Sequence, residues 1–100
     1  MAEKVKLNGG PEKTVTWIWL EADILKAEFY DFSEVAERMF GNDIAYVLTV
    51  EDMDKLFSVT EQNQSSLMQW ITKNFSSYFD LEKRLEENGI RFHREVDSRT

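Results

Sequence analysis

The sequence predicts one α+β domain with a mixed four-stranded sheet, in the order β-β-α-β-α-α-β, packed with three or four helices. Three observations lead to this fold class. The length of 100 residues fits a single domain. Short segments in the first half are rich in β-branched and aromatic residues, which favour strands. In the second half, apolar residues recur at spacings of three and four, which favour helices.

Four segments have the pattern of strands. Residues 14–21 and 24–30 follow each other closely and are expected to form a hairpin, although no glycine stands at the turn. Residues 44–50 are apolar on both faces, which is typical of a central strand. Residues 90–96 alternate apolar and charged side chains, which indicates an edge strand. Helical connections between the later strands favour parallel neighbours joined by right-handed crossovers.

The helical segments are bounded by recognisable signals. A helix is expected from Asp31 or Ser33 to Phe40, followed by Gly41. Residues 51–59 carry acids in the first turn, where the helix dipole stabilises them. A long helix is expected from Ser65, with a break near residues 76–77 and a continuation over residues 80–88. Gly89 then follows as a left-handed cap, with Ile90 as its hydrophobic partner.

The chain divides into an arm and a domain. Residues 1–13 are predicted to form a flexible N-terminal arm, because Gly9, Gly10 and Pro11 interrupt regular structure. Residues 14–100 are predicted to form the globular domain. The N-terminus lacks the apolar run of a signal peptide, and no apolar stretch approaches the ~20 residues of a membrane span. We therefore expect a cytoplasmic protein that does not bind a membrane.

The negative charge is concentrated in the middle of the chain. The formal net charge is −7, and residues 17–62 alone carry −8, from eleven acids and three bases. Such a field repels phosphate backbones, so we expect no nucleic-acid partner. It attracts basic surfaces instead, and this predicts a basic protein partner.

Residues for other chemistry are scarce. The chain has no cysteine, which excludes disulfides, thiol nucleophiles and thiolate metal sites. Glu51, Asp52 and Asp54 form the densest acidic cluster, but the spacing departs from a calcium loop because Leu56 stands at a ligand position. The glycines form no phosphate-binding loop, because Gly9 and Gly10 lie in the arm and the pattern G-x-x-x-x-G-K does not occur. We therefore predict no metal, no cofactor and no catalytic residue, and we interpret His93 as an exposed strand residue.

These observations favour a small acidic protein-interaction domain, for example an inhibitor, an immunity-type protein or a regulatory adaptor. The acids at predicted strand ends and loops are the expected partner-binding residues: Glu21, Asp23, Asp43, Glu51, Asp52 and Asp54. Two other hypotheses stay open. One is a small carboxylate-dependent enzyme in which His93 acts as a general base. The other is a self-associating subunit, a homodimer in which a second copy covers an apolar strand face or the edge formed by residues 90–96.

Overall fold

A computed structural model describes residues 4–7, 9, 14–31 and 43–99 of the chain. Within these ranges the chain forms five strands and three helices. The strands are β1 (Val5–Leu7), β2 (Thr14–Glu21), β3 (Ile24–Asp31), β4 (Asp43–Val50) and β5 (Phe92–Arg99). The helices are α1 (Met53–Thr60), α2 (Leu67–Asn74) and α3 (Tyr78–Glu87). The helix predicted from Asp31 or Ser33 to Phe40 lies outside the described residues.

The sheet is antiparallel throughout, and its spatial order follows the chain: β1-β2-β3-β4-β5. The α+β class is correct, but the predicted mixed four-stranded sheet in β-β-α-β-α-α-β order is wrong. The described elements follow each other as β-β-β-β-α-α-α-β. The strand that the four-stranded prediction lacks is β1, in which Val5 pairs with Ile18 and Leu7 pairs with Thr16. Leu7 is only 3% exposed, so this short strand belongs to the core.

The prediction of parallel neighbours is wrong for β4 and β5, which are antiparallel. The helical segment between them brings the chain back to the end of the sheet at which β4 ends. The chain leaves β4 at Glu51 and enters β5 after Arg91, and the Glu51 N–H donates to the Arg91 carbonyl at 2.9 Å. A chain that re-enters a sheet beside its exit must run in the opposite direction. The three helices α1 to α3 therefore form a cover over the sheet and not a crossover to its far end.

One face of the sheet packs against the three helices. In β2 and β3 the alternation directs Ile18, Leu25, Ala27 and Phe29 to this face, and all are buried. The helices contribute residues spaced by four positions, since such residues lie on one side of a helix. They are Leu67 and Ile71 of α2 and Leu81 and Leu85 of α3, together with Leu56 of α1.

Two side chains on the opposite face of the sheet are also shielded from water. Trp19 and Ala45 point away from the helices by the same alternation, yet they are 7% and 0% exposed. Lys4 contributes to this shielding, because its ammonium lies 4.4 Å from the centre of the Trp19 ring. The apolar character of β2 on both faces thus corresponds to burial on both sides.

Two connections have defined local geometry. The β2–β3 turn is formed by Ala22 and Asp23, with φ angles of 51° and 65°, as a type I′ turn requires. At the end of α3, Gly89 has a φ of 65° and the Ile90 N–H donates to the Leu85 carbonyl at 2.9 Å. Ile90 is buried, so the predicted glycine cap and its hydrophobic partner are confirmed.

Candidate protein-interaction site

Five of the six acids predicted to bind a partner lie at one end of the sheet. Glu21 ends β2, and Asp23 lies in the turn that follows. Glu51 and Asp52 follow β4, which runs in the same direction as β2, and Asp54 lies in the first turn of α1. We call this group of five residues the acidic end.

Asp43 is not part of the acidic end. It is the first residue of β4, and Glu51 follows the last. An eight-residue strand is about 27 Å long, so Asp43 lies at the opposite end of the sheet. Asp43 therefore lies away from the other five acids.

A groove of about 470 Å³ opens at the acidic end. Its acidic rim is formed by Glu51, Asp52 and Asp54. Its other residues are mostly apolar and come from β3, the end of β4 and the start of α1: Ile24, Thr49, Val50 and Met53. Glu21 pairs with Ile24 in the β2–β3 ladder, and the β3–β4 register, continued by two residues, sets Ile24 level with Glu51. The backbones of Glu21 and Glu51 are therefore about two strand spacings, or ~10 Å, apart.

Three of the five carboxylates are engaged within the protein. Asp52 caps α1 by accepting a hydrogen bond from the Lys55 N–H at 3.1 Å. Asp23 accepts a hydrogen bond from the side-chain amide of Gln64. Glu21 forms an ion pair with Lys26 at 3.0 Å, and this pair holds the pKa of Glu21 below its ordinary value.

The other two carboxylates, those of Glu51 and Asp54, are exposed. In the part of the chain that the structure describes, neither forms a hydrogen bond or an ion pair through its side chain. A free carboxylate beside an apolar surface retains its full capacity to accept hydrogen bonds from a partner. These two residues are therefore the strongest candidates for an external contact.

The basic residues around the acidic end are partly engaged. Lys26 pairs with Glu21, and the Lys55 ammonium donates to the Gly89 carbonyl at 3.1 Å. The carbonyl of Arg91 accepts from the Glu51 N–H, so Arg91 is a third basic residue at this end, with an exposed side chain. The acids outnumber these three bases, and the local field remains negative.

The other polar groups do not converge on a reactive centre. His93 lies on the edge strand β5, where its Nε2 is 3.3 Å from Glu95 Oε1, and both side chains are more than half exposed. Tyr78 is buried in the core, and burial, reinforced by the carboxylate of Glu82, raises the pKa of its hydroxyl. Among the described residues, no three histidine, aspartate or glutamate side chains lie close enough together to bind one metal ion.

The sequence did not identify the apolar residues of the groove. Ile24 and Met53 were interpreted only as parts of a strand and a helix, because nothing local shows that a strand start and a helix start share a surface. Met53 also fixes the hairpin, since its Sδ accepts a hydrogen bond from the Leu25 N–H at 3.4 Å.

No protein-family model matches the chain, and neither a curated protein nor a solved structure shows significant similarity to it. None of the helices in the described ranges is long and apolar enough to cross a membrane.

Proposed function

We propose that this chain is a protein-interaction domain that binds a basic segment of another protein at its acidic end. The observation that supports this function is the groove in which the exposed carboxylates of Glu51 and Asp54 stand beside Ile24, Val50 and Met53. A surface of this kind suits a lysine or arginine side chain, whose apolar stem can cover the hydrophobic residues while its charged head reaches a carboxylate.

The charge distribution supports the same proposal at longer range. The segment that carries the excess of −8 includes every residue of the acidic end. Long-range attraction of this kind accelerates the encounter with a basic partner and decreases as salt screens it over a Debye length of about 10 Å at 0.1 M. Binding is therefore expected to be faster and tighter at low ionic strength.

A capture experiment with matched charge variants tests the proposal. The bait is the intact chain, used as wild type, as E51K/D54K and as E86K/E87K, and lysate of the native cells is applied at low salt. Glu86 and Glu87 are exposed acids on α3 that do not belong to the acidic end, so the second double variant changes the net charge equally and leaves those five residues intact. The proposal predicts that the wild type and E86K/E87K capture the same basic protein and release it at high salt, whereas E51K/D54K captures none.

Two results would count against this function. If E51K/D54K captures the partner as well as the wild type does, the acidic end is not the contact surface. If both double variants fail equally, only the total charge matters and no specific site exists. The identity of a captured protein would distinguish an inhibitor or immunity-type role from that of a regulatory adaptor.

A further inference from the structure

Among the strands that the structure describes, β5 lies at the edge of the sheet, because β4 is its one neighbour there. The hydrogen bond from the Glu51 N–H to the Arg91 carbonyl shows that the backbone groups of Arg91 point toward β4. Backbone groups alternate in direction along a strand, so those of His93 and Glu95 also point inward. Those of Phe92, Arg94 and Val96 point outward.

The outward backbone groups of β5 are available for pairing. Within the described ranges, no backbone hydrogen bond other than those to β4 involves the residues of this strand. The side chains at positions 93–96 are exposed, and Val96, at 60%, is the most exposed large hydrophobic side chain among the described residues. A row of free donors and acceptors beside an exposed valine is a template for a further strand.

The side chains of β5 are complementary to an antiparallel copy of themselves. Basic residues, Arg91, His93 and Arg94, precede the acidic Glu95 along the strand. An antiparallel copy reverses this order, so His93 of each copy can meet Glu95 of the other. On the helix side, the same reversal brings Phe92 of one copy to Val96 of the other.

We propose that β5 pairs with β5 of a second copy, antiparallel, with Arg94 opposite Arg94 of the second copy. In this register His93 faces Glu95 of the second copy and Phe92 faces Val96 of the second copy, and both contacts occur twice by symmetry. The outward groups of Phe92, Arg94 and Val96 supply about six backbone hydrogen bonds. The exposed surface of Val96 becomes covered.

The like charges of the two facing arginines are already balanced within each chain. Arg94 Nη1 lies 3.3 Å from Glu82 Oε2, and the guanidinium lies 5.7 Å from the centre of the Tyr46 ring. These contacts draw the guanidinium toward α3 and β4, away from the strand edge. Each of the two facing arginines is therefore already in an ion pair with Glu82 of its own chain.

Neighbouring registers lose this complementarity. A register centred on Glu95 sets two glutamates directly opposite each other, which is destabilising. A register centred on His93 sets Phe92 opposite Arg94, and one centred on Val96 sets Glu95 opposite position 97, an aspartate in the sequence. Only the register centred on Arg94 combines the opposite charges and the apolar contact.

The resulting dimer has a defined geometry. Its two-fold axis is perpendicular to the sheet, so the two sheets become continuous and both helical layers lie on the same side. The acidic end of each copy lies next to the start of its β5, because Glu51 contacts Arg91. Antiparallel pairing of β5 therefore directs the two acidic ends to opposite ends of the joined sheet, where neither obstructs the other.

Sedimentation of valine variants tests the dimer without reference to the acidic end. The wild type is expected to shift from monomer to dimer between about 10 µM and 1 mM, as suits a small interface. V96K places a charge in the interface and should weaken dimerisation about tenfold or more. The matched control is V59K, at a valine of α1 that is 40% exposed, and it should dimerise as the wild type does. A wild type that remains monomeric at 1 mM, or equal effects of the two variants, would overturn the proposal.

A cysteine scan tests the register. The chain contains no cysteine, so a single introduced one gives an unambiguous cross-link. In a hydrogen-bonded antiparallel pair the facing Cα atoms are about 5.5 Å apart, within the range of a disulfide. Under mild oxidation R94C should therefore cross-link about tenfold faster than H93C or E95C. Circular dichroism confirms that each variant is folded, and a maximum at position 93 or 95 would overturn the register.

Discussion

The side-chain hydroxyl of Thr16 accepts a hydrogen bond from the backbone N–H of Tyr78 at 3.0 Å, and both residues are buried. This bond joins the middle of β2 to the first residue of α3. The residue before the helix, Ser77, forms no side-chain capping hydrogen bond. The hydroxyl of Thr16 pairs one of the four N–H groups that lack an intrahelical partner at the start of α3. The bond also fixes where α3 begins relative to the sheet.

Replacing Thr16 with valine tests this contact. Valine has nearly the same shape but leaves the Tyr78 N–H buried and unpaired, so T16V should lower the free energy of unfolding by about 1–3 kcal/mol. The control T16S retains the hydroxyl and removes a methyl group, which should cost about 1 kcal/mol or less. Urea unfolding measures both. A valine variant no less stable than the serine variant would show that the hydrogen bond contributes nothing.

The β2–β3 turn contains a correctable strain. Ala22 has a φ of 51°, a conformation that costs a residue with a Cβ about 1 kcal/mol, whereas asparagine tolerates it. A22N is therefore expected to raise the free energy of unfolding by roughly 0.5–1 kcal/mol. A22V should do the opposite, because a β-branched side chain suits this conformation least. Thermal unfolding of the pair gives the result, and equal midpoints would contradict it.

Gly89 is expected to be sensitive to any added side chain. Its φ is 65°, and a Cβ there would come within 3.2 Å of the Lys55 ammonium, which donates to the Gly89 carbonyl. G89A should lower the free energy of unfolding by roughly 1–2 kcal/mol, and G89N should cost less. Denaturant unfolding of both variants tests this order. A smaller loss for alanine than for asparagine would show that backbone conformation does not govern this site.

Asp80 should make stability depend on pH in the acid range. Ser76 donates to Asp80 Oδ2 from its hydroxyl at 2.6 Å and from its N–H at 3.2 Å, and these bonds hold the pKa of the carboxyl below its ordinary value. A lowered pKa in the folded state stabilises the protein above the unfolded pKa, and this stabilisation disappears as the pH falls through the folded pKa.

The wild type should therefore exceed D80N in stability at neutral pH, and the difference should shrink in acid, below the ordinary aspartate pKa of about 4. Urea unfolding at a series of pH values measures the difference. A difference that is constant with pH would show that the charge of Asp80 is not involved.

The sequence predicted local structure well, because its signals are local. β2 has its predicted limits, β3 and β4 each differ by one residue, and the break between α2 and α3 lies close to the expected position. Alternation and three-to-four spacing report the conformation of one segment at a time. They carry no information on which strand lies beside which, so the direction of every pairing after the hairpin was wrong.

The same limit applies to the candidate site. All six acids were selected because they lie at strand ends or loops, but the sequence does not distinguish the two ends of a sheet. Asp43 begins β4 and Glu51 follows it, so the antiparallel order separates them. Residues 1–13 were predicted to be an arm for a related reason: the three residues of β1 give too short a pattern to show that Leu7 reaches the core.

The central claim is that Glu51 and Asp54 form the contact surface for a basic segment, and an NMR titration with an oligolysine peptide tests it most directly. In the wild type and in E86K/E87K, amide shifts are predicted to change mainly in residues 21–24 and 49–55, and to return as salt is added. In E51K/D54K these changes should be lost while the fold is retained. Shift changes spread over the whole surface, or an undiminished response in E51K/D54K, would contradict the account.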